Sequence, residues 1–490
     1  LLWAPPRGVL SAVVPTLIRR LDSDWGRGEP GAGNYDIHAT QMVPPLPDFL
    51  PGASFSDLLL PEVAIAFPDT SRDSEQMGVE VALRQFSPGK VTHRFAIDWT
   101  GERLWVPVDG SVTPINTAFD ADPLDTVTPD GETDPIRVLR PWKIRPVNPE
   151  LAIRNSSNAR PIWRSSFQRV GEPVERTTPD YAGLAALVPS LKFFLHKAGN
   201  NLTVHRFSVG STGTISRGEE REMFETRFVD DDEPVGLGYR IDTDGICFEA
   251  RDPGGWDKVG ESDPSLGRSL LRDWFKHCVV TSPPLQGVAS IFIREWLAEL
   301  SLAAIVEEAV SAGSNLDNGI ANFKDQPVAD VLDRVLQLVF QSVDPTQVTG
   351  AEFADDEVDP TKLHGEIVSC ATNPVVEEAI HDATAELANP TAEHFEAWLR
   401  DRYLATLAGA VTHAIALLHE ELNVDELVVD TGPWVAGSAE VRVSERKPGG
   451  TGLVEAAQDA YTQDPLRFCR LITGIVGVSD AEVVDGVLTS

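Results

Sequence analysis

Cysteine is scarce in this sequence of 490 residues. Cys247, Cys278, Cys370 and Cys469 lie far apart, and no C-x-x-C pair occurs anywhere. Disulfide-stabilised small domains and zinc knuckles both require closely spaced cysteines. The spacing therefore argues against a disulfide framework, and we predict no metal-binding residue.

Long apolar runs are also missing. The most apolar stretch, "LLWAPPRGVLSAVVPTLI" at residues 1–18, is interrupted by prolines and by Arg7. A helix that spans a membrane needs roughly 18 to 20 consecutive apolar residues. The sequence is therefore typical of a soluble, cytoplasmic protein, and we expect no membrane partner.

Intact catalytic motifs are missing as well. A phosphate-binding P-loop needs Gly-Lys-Ser or Gly-Lys-Thr after a strand, and "GSTGTISRG" and "KPGGTG" both lack this lysine followed by a hydroxyl. Neither a G-x-S-x-G elbow nor an H-E-x-x-H helix occurs. We therefore predict no catalytic residue and no cofactor bound by this chain, and whether it forms part of an enzyme stays open.

Positive charge is in short supply, and lysine is rarer than arginine. The sequence has 41 basic and 75 acidic residues, a formal net charge of -34, and nine of the basic residues are lysine. This balance is typical of an acidic, salt-adapted cytoplasm, in which carboxylates keep proteins soluble. Net charge is therefore a poor guide to partners, because a local basic patch can still bind nucleic acid.

The hydrophobic fraction of 42% and the length predict a globular protein with several domains. The pattern changes from strands to helices along the chain, which predicts an α+β fold with a β-rich N-terminal half and a largely helical C-terminal domain. We expect a Pro/Gly-rich segment at 1–75, a β hairpin region and linker at 76–135, a β-rich domain at 136–285, and a helical domain at 286–490. Within the second of these, strands are expected from 79 to 110 and a surface linker at 111–135.

Several helices of the C-terminal domain have clear signals. Residues 287–311 and 329–342 show helical periodicity. Asn373 and Pro374 match an N-cap and the first position of a helix, and a longer helix should follow Thr391. The stretches "ELVVD" and "AEVRVSE" predict a short strand pair that leads into a glycine-rich strand-to-helix loop.

The basic patch that a nucleic-acid partner would need lies between residues 137 and 169. The segment has only one acidic residue, Glu150. Guanidinium groups pair with phosphates, and aromatic rings stack on unpaired bases. The predicted nucleic-acid-binding residues are Arg137, Arg140, Trp142, Lys143, Arg145, Arg154, Arg160, Trp163, Arg164 and Arg169. The alternative is that the cations form salt bridges within the fold.

The loop "ERKPGGTG" is the second candidate site. Glycines after a proline allow unusual backbone angles, and the free N–H groups at the start of the next helix suit an anion. The predicted anion-binding loop consists of Arg446, Lys447, Gly449, Gly450, Thr451 and Gly452. The alternative is a tight turn with solvated charges, and the sequence alone leaves both open.

Five stretches occur in an order that carries a resemblance: "VALRQFSPGKVTHRFAIDWTGERLWVP", "NLTVHRFSVGSTGTISRGEEREMF", "YRIDTDGICFEA", "VTHAIALLHEEL" and "VSERKPGGTGLVEAA". Together they resemble the region that follows the motor in superfamily 2 DNA helicases with an MrfA-type (MZB, zinc-binding-like) C-terminal domain. Such helicases occur in DNA repair and in anti-phage defence. The resemblance implies DNA, an ATP-dependent motor upstream or in trans that holds ATP and Mg²⁺, and other defence or repair subunits as partners. The aromatic rings of the basic segment favour single-stranded DNA.

This chain departs from the family pattern in two ways. The motor domains are absent, so ATP hydrolysis does not carry over. Family members commonly hold zinc with four cysteines, but "MFETRF" and "RFCRLITGIVGVSD" stand at those places here, with Cys469 alone remaining. We therefore favour a helicase-associated nucleic-acid-binding region or subunit without zinc. The alternative is a non-catalytic scaffold or interaction protein of a defence or repair complex.

Overall fold

The computed structural model describes residues 26–27, 35–36, 60–69, 71–95, 102–218, 220–259, 263–286, 288–341, 360–418 and 426–476. The chain divides into two compact units, Leu1–Pro61 and Glu62–Ser490. In the first unit, strands β1 (Gly26–Arg27) and β2 (Tyr35–Asp36) pair in antiparallel register. All further elements belong to the second unit, and the domain boundaries expected within it stay a prediction.

The larger sheet of the second unit is built from the first half of the chain. Its strands are β3 (Glu62–Ile65), β4 (Glu75–Gly78), β5 (Val112–Pro114), β6 (Phe119–Val127), β7 (Ile136–Ile144), β8 (Asn158–Val170), β11 (Asn201–Arg217), β12 (Glu220–Asp230) and β13 (Glu233–Thr243). The order is β4-β3-β7-β13-β11-β12-β5, with β6 paired to β7 and β8 paired to β11. The long strand β11 is central, because β8 covers one edge while β13 and β12 share the other.

A second, antiparallel sheet joins the middle of the chain to its C-terminal part. Its strands are β9 (Val174–Thr177), β10 (Ser190–Phe194), β14 (Gly245–Arg251), β15 (Leu427–Thr431) and β16 (Ser438–Glu445). The order is β15-β16-β14-β10-β9. The expected short strand pair is therefore confirmed as β15 and β16, and it completes a sheet that begins more than 200 residues earlier.

Helices dominate the chain after β14. The helices of the described residues are α1 (Val79–Gln85), α2 (Leu184–Leu187), α3 (Pro264–Thr281), α4 (Pro283–Gln286), α5 (Ile291–Ser311), α6 (Leu316–Lys324), α7 (Val328–Gln341), α8 (Pro360–Ala371), α9 (Pro374–Ala388), α10 (Ala392–Leu417), α11 (Leu453–Gln463) and α12 (Pro465–Val476). The predicted α+β class, with strands first and helices later, is confirmed.

Two large hydrophobic cores divide these elements. In one, the second sheet packs against α10, α11 and α12 through side chains such as Phe193, Val411 and Val441. In the other, α3 to α9 pack on one another around Phe275, Leu297 and others. The helical block between β14 and α10 therefore has a core of its own.

Local sequence signals predicted where several helices in this part of the chain begin. Asn373 caps α9, its side chain accepting a hydrogen bond from Val375 N, and Pro374 occupies the first turn. The expected long helix begins at Ala392, directly after Thr391. The 287–311 and 329–342 patterns correspond to α5 and α7, whose bounds differ from the predicted ones by at most a few residues.

The expectation of strands from residue 79 onward was wrong at its start, because Val79–Gln85 forms helix α1. Val79, Ala82 and Leu83 are buried, which is the spacing of a helical face and not of a strand. Arg84 also pairs with Glu80, one turn earlier, at 2.7 Å. The β-branched valines concealed this helical period. Farther along, Thr92 and Leu104 form an antiparallel bridge, and part of the expected hairpin lies outside the described residues.

The expectation of a surface linker at 111–135 was also wrong, since this stretch contains β5 and β6. Phe119 and Val127 are buried at the two ends of β6, which pairs with β7. The ladder shifts register at Asp120/Ala121 and at Pro123/Asp125. Irregularities of this kind let a strand accommodate proline, and the Asp- and Pro-rich composition therefore did not reveal it.

Over the described ranges, the helices are all too short or too polar to cross a membrane.

Candidate nucleic-acid interface

The basic segment forms two strands of the larger sheet and the connection between them. Arg140 and Trp142 stand two positions apart on β7, so their side chains project from the same face. Both are exposed, and Trp142 is 47% exposed. An open indole of this kind offers a face on which an unpaired base can stack. Lys143 follows directly, half-buried, where β7 ends.

Four of the eight cations in the segment are held by carboxylates elsewhere in the fold. The pairs are Arg137–Asp230, Arg145–Asp120, Arg164–Glu132 (2.7 Å) and Arg169–Glu440. All four guanidinium groups remain partly exposed, so each pair adds little to stability. These four arginines therefore form the salt bridges within the fold that were the alternative to nucleic-acid binding.

The other four cations are Arg140, Lys143, Arg154 and Arg160. None of them forms an ion pair with any residue that the structure describes. Arg160 even lies near another cation: the pKa of Arg294 is lowered, first by burial and then by the charge of Arg160. In a protein with 75 acidic residues, unpaired guanidinium groups are unexpected, and they remain available to an external anion.

A cleft between the two sheets is lined by every second residue of one part of β8, namely Trp163, Ser165 and Phe167. Alternate residues of a strand project from the same face. The floor of this cleft is a row across three strands. Ser165 lies opposite Arg206 on β11, and Arg206 lies opposite Tyr239 on β13. Directly opposed residues share a face, so this row presents one hydroxyl, one guanidinium and one phenol to the cleft.

Asp430 of β15 links this row to the second sheet. Its carboxylate accepts hydrogen bonds from both terminal nitrogens of Arg206, at 3.1 and 2.6 Å, and from Ser165 Oγ at 3.0 Å. The two charged side chains are only 14% and 16% exposed. Burial opposes the charge of Arg206, yet its pKa is raised, because the charge and hydrogen bond of Asp430 act together with the nearby Tyr239 and Glu80. This two-point pair joins the sheets at the cleft.

The cleft has a volume of about 430 Å³, within the ~300 to 1,000 Å³ range of ligand sites. Its walls include Glu80 and Arg84 of α1 and Asp130 of the β6–β7 connection. Arg446 also lines it, which brings the candidate loop and the basic segment to one place. The Arg446 side chain has no ion pair within the described residues, and its Nε is buried without a hydrogen-bond partner.

In the candidate anion-binding loop, a carboxylate of the chain itself occupies the anion position. Glu445, which is fully buried, accepts hydrogen bonds from Thr451 N, from Thr451 Oγ1 at 2.6 Å and from Val454 N at 2.7 Å. Val454 is the second residue of α11, so the carboxylate sits where a phosphate at this helix start would sit. The N–H groups expected to bind an external anion therefore already have a partner.

The rest of the loop is shaped by tight backbone geometry. Gly449, Gly450 and Gly452 have φ angles of 77°, 78° and 88°, which favour glycine. A Cβ on Gly450 would lie 2.9 Å from Asp244 Oδ2. Lys447 pairs with Glu426 at 2.9 Å. Carboxylates thus surround the loop, and Arg446 is the part of it that faces the cleft.

The stretches on which the helicase resemblance rests lie together in space. Gly449 N donates to Asp242 O at 2.7 Å, and Thr243 Oγ1 donates to the carbonyl oxygens of Glu445 and Lys447. Tyr239 Oη lies 3.4 Å from Glu80, beside the "VALRQF" stretch. Strands β11 and β13 and helix α1 therefore form one site with the loop.

Sequence reasoning missed Arg206, Tyr239, Asp430 and Glu445. Arg206 interrupts an apolar strand, "LTVHRFSV", and an arginine in such a strand was the available signal. Asp430 lies 224 residues farther along the chain, so nothing local indicated the pair.

The four cysteines lie in separate elements, β14, α3, α8 and α12. Within the described residues, no three His, Cys, Asp or Glu side chains are placed to hold a metal ion. Burial raises the pKa of the Cys247 and Cys278 thiols to about 12 and also raises that of Cys469. Metal binding needs the thiolate, so these environments oppose it.

We expect elemental analysis of the purified chain to give well under one zinc per molecule. The reason is that neutral, separated thiols cannot supply a four-ligand site. One zinc per chain that is lost in a Cys247→Ser variant would contradict this expectation.

No protein-family model matches the sequence, and no curated protein matches it either. Among solved structures, the chain has a weak similarity to a crystal structure of the DUF1998 helicase MrfA bound to DNA, with a TM-score of 0.32 and 8% sequence identity. The alignment covers 91% of this chain and 33% of that one, so this chain spans about a third of that protein's length.

Proposed function

We propose that this chain is a helicase-associated region or subunit that binds single-stranded DNA beside an ATP-driven motor, in defence or repair. The motor, upstream or in trans, supplies ATP and Mg²⁺. The observation that carries the proposal is the trio Arg140, Trp142 and Lys143 on β7. An exposed arginine and a half-buried lysine, neither with an ion pair in the described part of the chain, flank an open indole.

Single-strand binding surfaces combine phosphate-pairing cations with rings that stack on bases. On β7 the guanidinium of Arg140 and the indole of Trp142 share a face, with the spacing of alternate strand residues. Stacking tolerates any base, so this surface fits binding without sequence readout. The acidic remainder of the protein disfavours unspecific attachment of DNA elsewhere, since a net charge of -34 repels phosphates.

The resemblance supports the helicase context. The stretches that carry it are spread between residues 81 and 457, and four of them lie in one site around Arg206, Tyr239 and the loop.

We expect the double variant Arg140→Ser/Lys143→Ser to weaken single-strand binding and to flatten its salt dependence. Each phosphate contact on a single strand adds ~0.7 to the slope of log K against log salt, so losing two lowers the slope by about 1.4. Trp142→Ala should cost about 1 to 3 kcal/mol by removing a stacked base. Fluorescence anisotropy of a labelled oligonucleotide, titrated at several salt concentrations, measures both.

The matched control is Lys197→Ser/Arg272→Ser, which removes the same charge from two exposed cations that pair with Glu455 and Asp273. It should leave the slope unchanged. If the β7 variant and the control behave alike, the trio is not the interface.

The scaffold alternative has one specific observation in its favour. Helix α5 exposes Ile291, Phe292, Val306 and Val310, with exposed fractions of 56%, 45%, 52% and 73%. Apolar side chains this open on one helix suit a protein partner. A chain that binds no single-stranded DNA at low salt would favour this alternative.

A further inference from the structure

The cleft between the two sheets has a charge balance that sets it apart from the rest of this acidic protein. Arg84, Arg164, Arg206 and Arg446 line it, against three carboxylates. Each carboxylate has a cation of the fold as its partner: Glu80 has Arg84, Asp130 has Arg442 and Asp430 has Arg206. Arg164 pairs with Glu132. The guanidinium left over is that of Arg446, so the cleft favours an anion over a cation.

Arg446 is also held in place. Its backbone N donates to Glu426 O at 2.8 Å, and it follows Glu445, whose carboxylate is locked into the start of α11. These contacts fix the backbone of Arg446 beside the cleft, which its side chain lines. Its buried Nε lacks a hydrogen-bond partner within the described residues, and a phosphate oxygen could supply that partner.

Aromatic side chains provide the other half of a nucleotide site. Trp163 lines the cleft, is half-buried and has no ring partner in the described ranges. The Phe167 ring, by contrast, is already covered by Arg442, whose guanidinium carbon lies 4.7 Å from its centroid. Tyr239 forms part of the floor. Burial raises the pKa of its phenol, so the hydroxyl stays neutral, and it donates to Glu80 Oε2 at 3.4 Å.

We propose that this inter-sheet cleft binds one deoxynucleotide, with the phosphate on Arg446 and the base against Trp163. The proposal rests on the proposed function, because it takes this nucleotide to be one unpaired unit of the bound strand. The same chemistry would also accept a free mononucleotide. The cleft lies apart from the trio on β7, which does not line it, so the two sites can be tested separately.

The test is isothermal titration of the whole chain with thymidine monophosphate, thymidine and inorganic phosphate. We expect the monophosphate to bind more tightly than either part alone, since both the phosphate and the base contribute. Arg446→Met, which keeps an apolar stem, should weaken the monophosphate at least about tenfold through loss of a charged hydrogen bond. Trp163→Leu should weaken it about fivefold or more through loss of stacking. Arg227→Met, at an exposed arginine paired with Glu225, should change nothing.

The outcomes separate the two proposals. The Arg140→Ser/Lys143→Ser variant should bind the monophosphate normally while it binds an oligonucleotide poorly, and Arg446→Met should weaken both. If the native chain binds the monophosphate no better than thymidine or phosphate, the cleft proposal is overturned, whatever the oligonucleotide does. If the monophosphate binds as expected and no oligonucleotide binds, the cleft is a free-nucleotide site and the proposed function fails.

Discussion

Replacing Glu445 with alanine is expected to lower the free energy of unfolding by about 3 kcal/mol, through loss of hydrogen bonds to a charged group. The carboxylate is the acceptor for two backbone N–H groups and one hydroxyl at the start of α11. Alanine leaves the buried N–H of Val454 and the part-buried N–H and hydroxyl of Thr451 without this acceptor, and it removes the negative charge that complements the helix dipole. Glu445→Gln should lower the free energy of unfolding by less than alanine does, because its amide oxygen can still accept a hydrogen bond.

The matched control for this change is Glu455→Ala on the same helix. Glu455 pairs with Lys197 at the surface, where the lysine side chain is 71% exposed, so its removal should cost less than about 1 kcal/mol. Thermal unfolding followed by circular dichroism compares the two variants. Equal shifts in the melting midpoint would mean that the buried carboxylate contributes no more than a surface one.

Replacing Asp430 with leucine should be similarly costly, by about 3 kcal/mol or more. Arg206 would keep its charge at the junction of the two sheets with no carboxylate to balance it, and an uncompensated buried charge is the expensive result of breaking such a pair. The double variant Arg206→Met/Asp430→Leu should recover much of the loss, because it leaves no charge unpaired.

A double-mutant cycle measured by urea unfolding distinguishes this account from simple loss of packing. If the double variant is as unstable as the sum of the two single variants, the pair has no special coupling. The exposed pair Arg227–Glu225, with side chains 44% and 55% exposed, supplies the comparison, and its coupling should be below about 1 kcal/mol.

Elements that depend on neighbouring residues could be predicted from the sequence. Asn373 and Pro374 predicted the start of α9, and the glycines of the loop predicted the turn before α11. Both signals are local, because a helix cap and a positive φ angle each depend on the residue at that position. Helix α1 escaped prediction for the opposite reason. Its valines favour strands locally, and only burial of one face, set by tertiary packing, makes it a helix.

The site was harder to predict than the fold, since its chemistry depends on distant partners. Arg145 and Arg169 read alike in the sequence, yet they pair with carboxylates 25 and 271 residues away. Glu445 is the first residue of "ERKPGGTG", and by sequence alone it resembles any polar residue at the end of a strand. Nothing in a single sequence tells which cations of a basic segment are already neutralised.

The strand order of the second sheet also constrains how the chain can be made. β14 ends at Arg251, and its neighbour β16 begins at Ser438, after the helical block. At ~5 to 20 residues per second, synthesis of the intervening stretch takes roughly 10 to 40 s. During that time the edge of β14 that pairs with β16 in the folded chain has no partner strand. Its apolar residues Ile246 and Phe248 then lack the residues of β16 that pack beside them in the core. Chains that stop short of Ser438 should therefore aggregate through this open edge, even where the helical block has already folded around its own core.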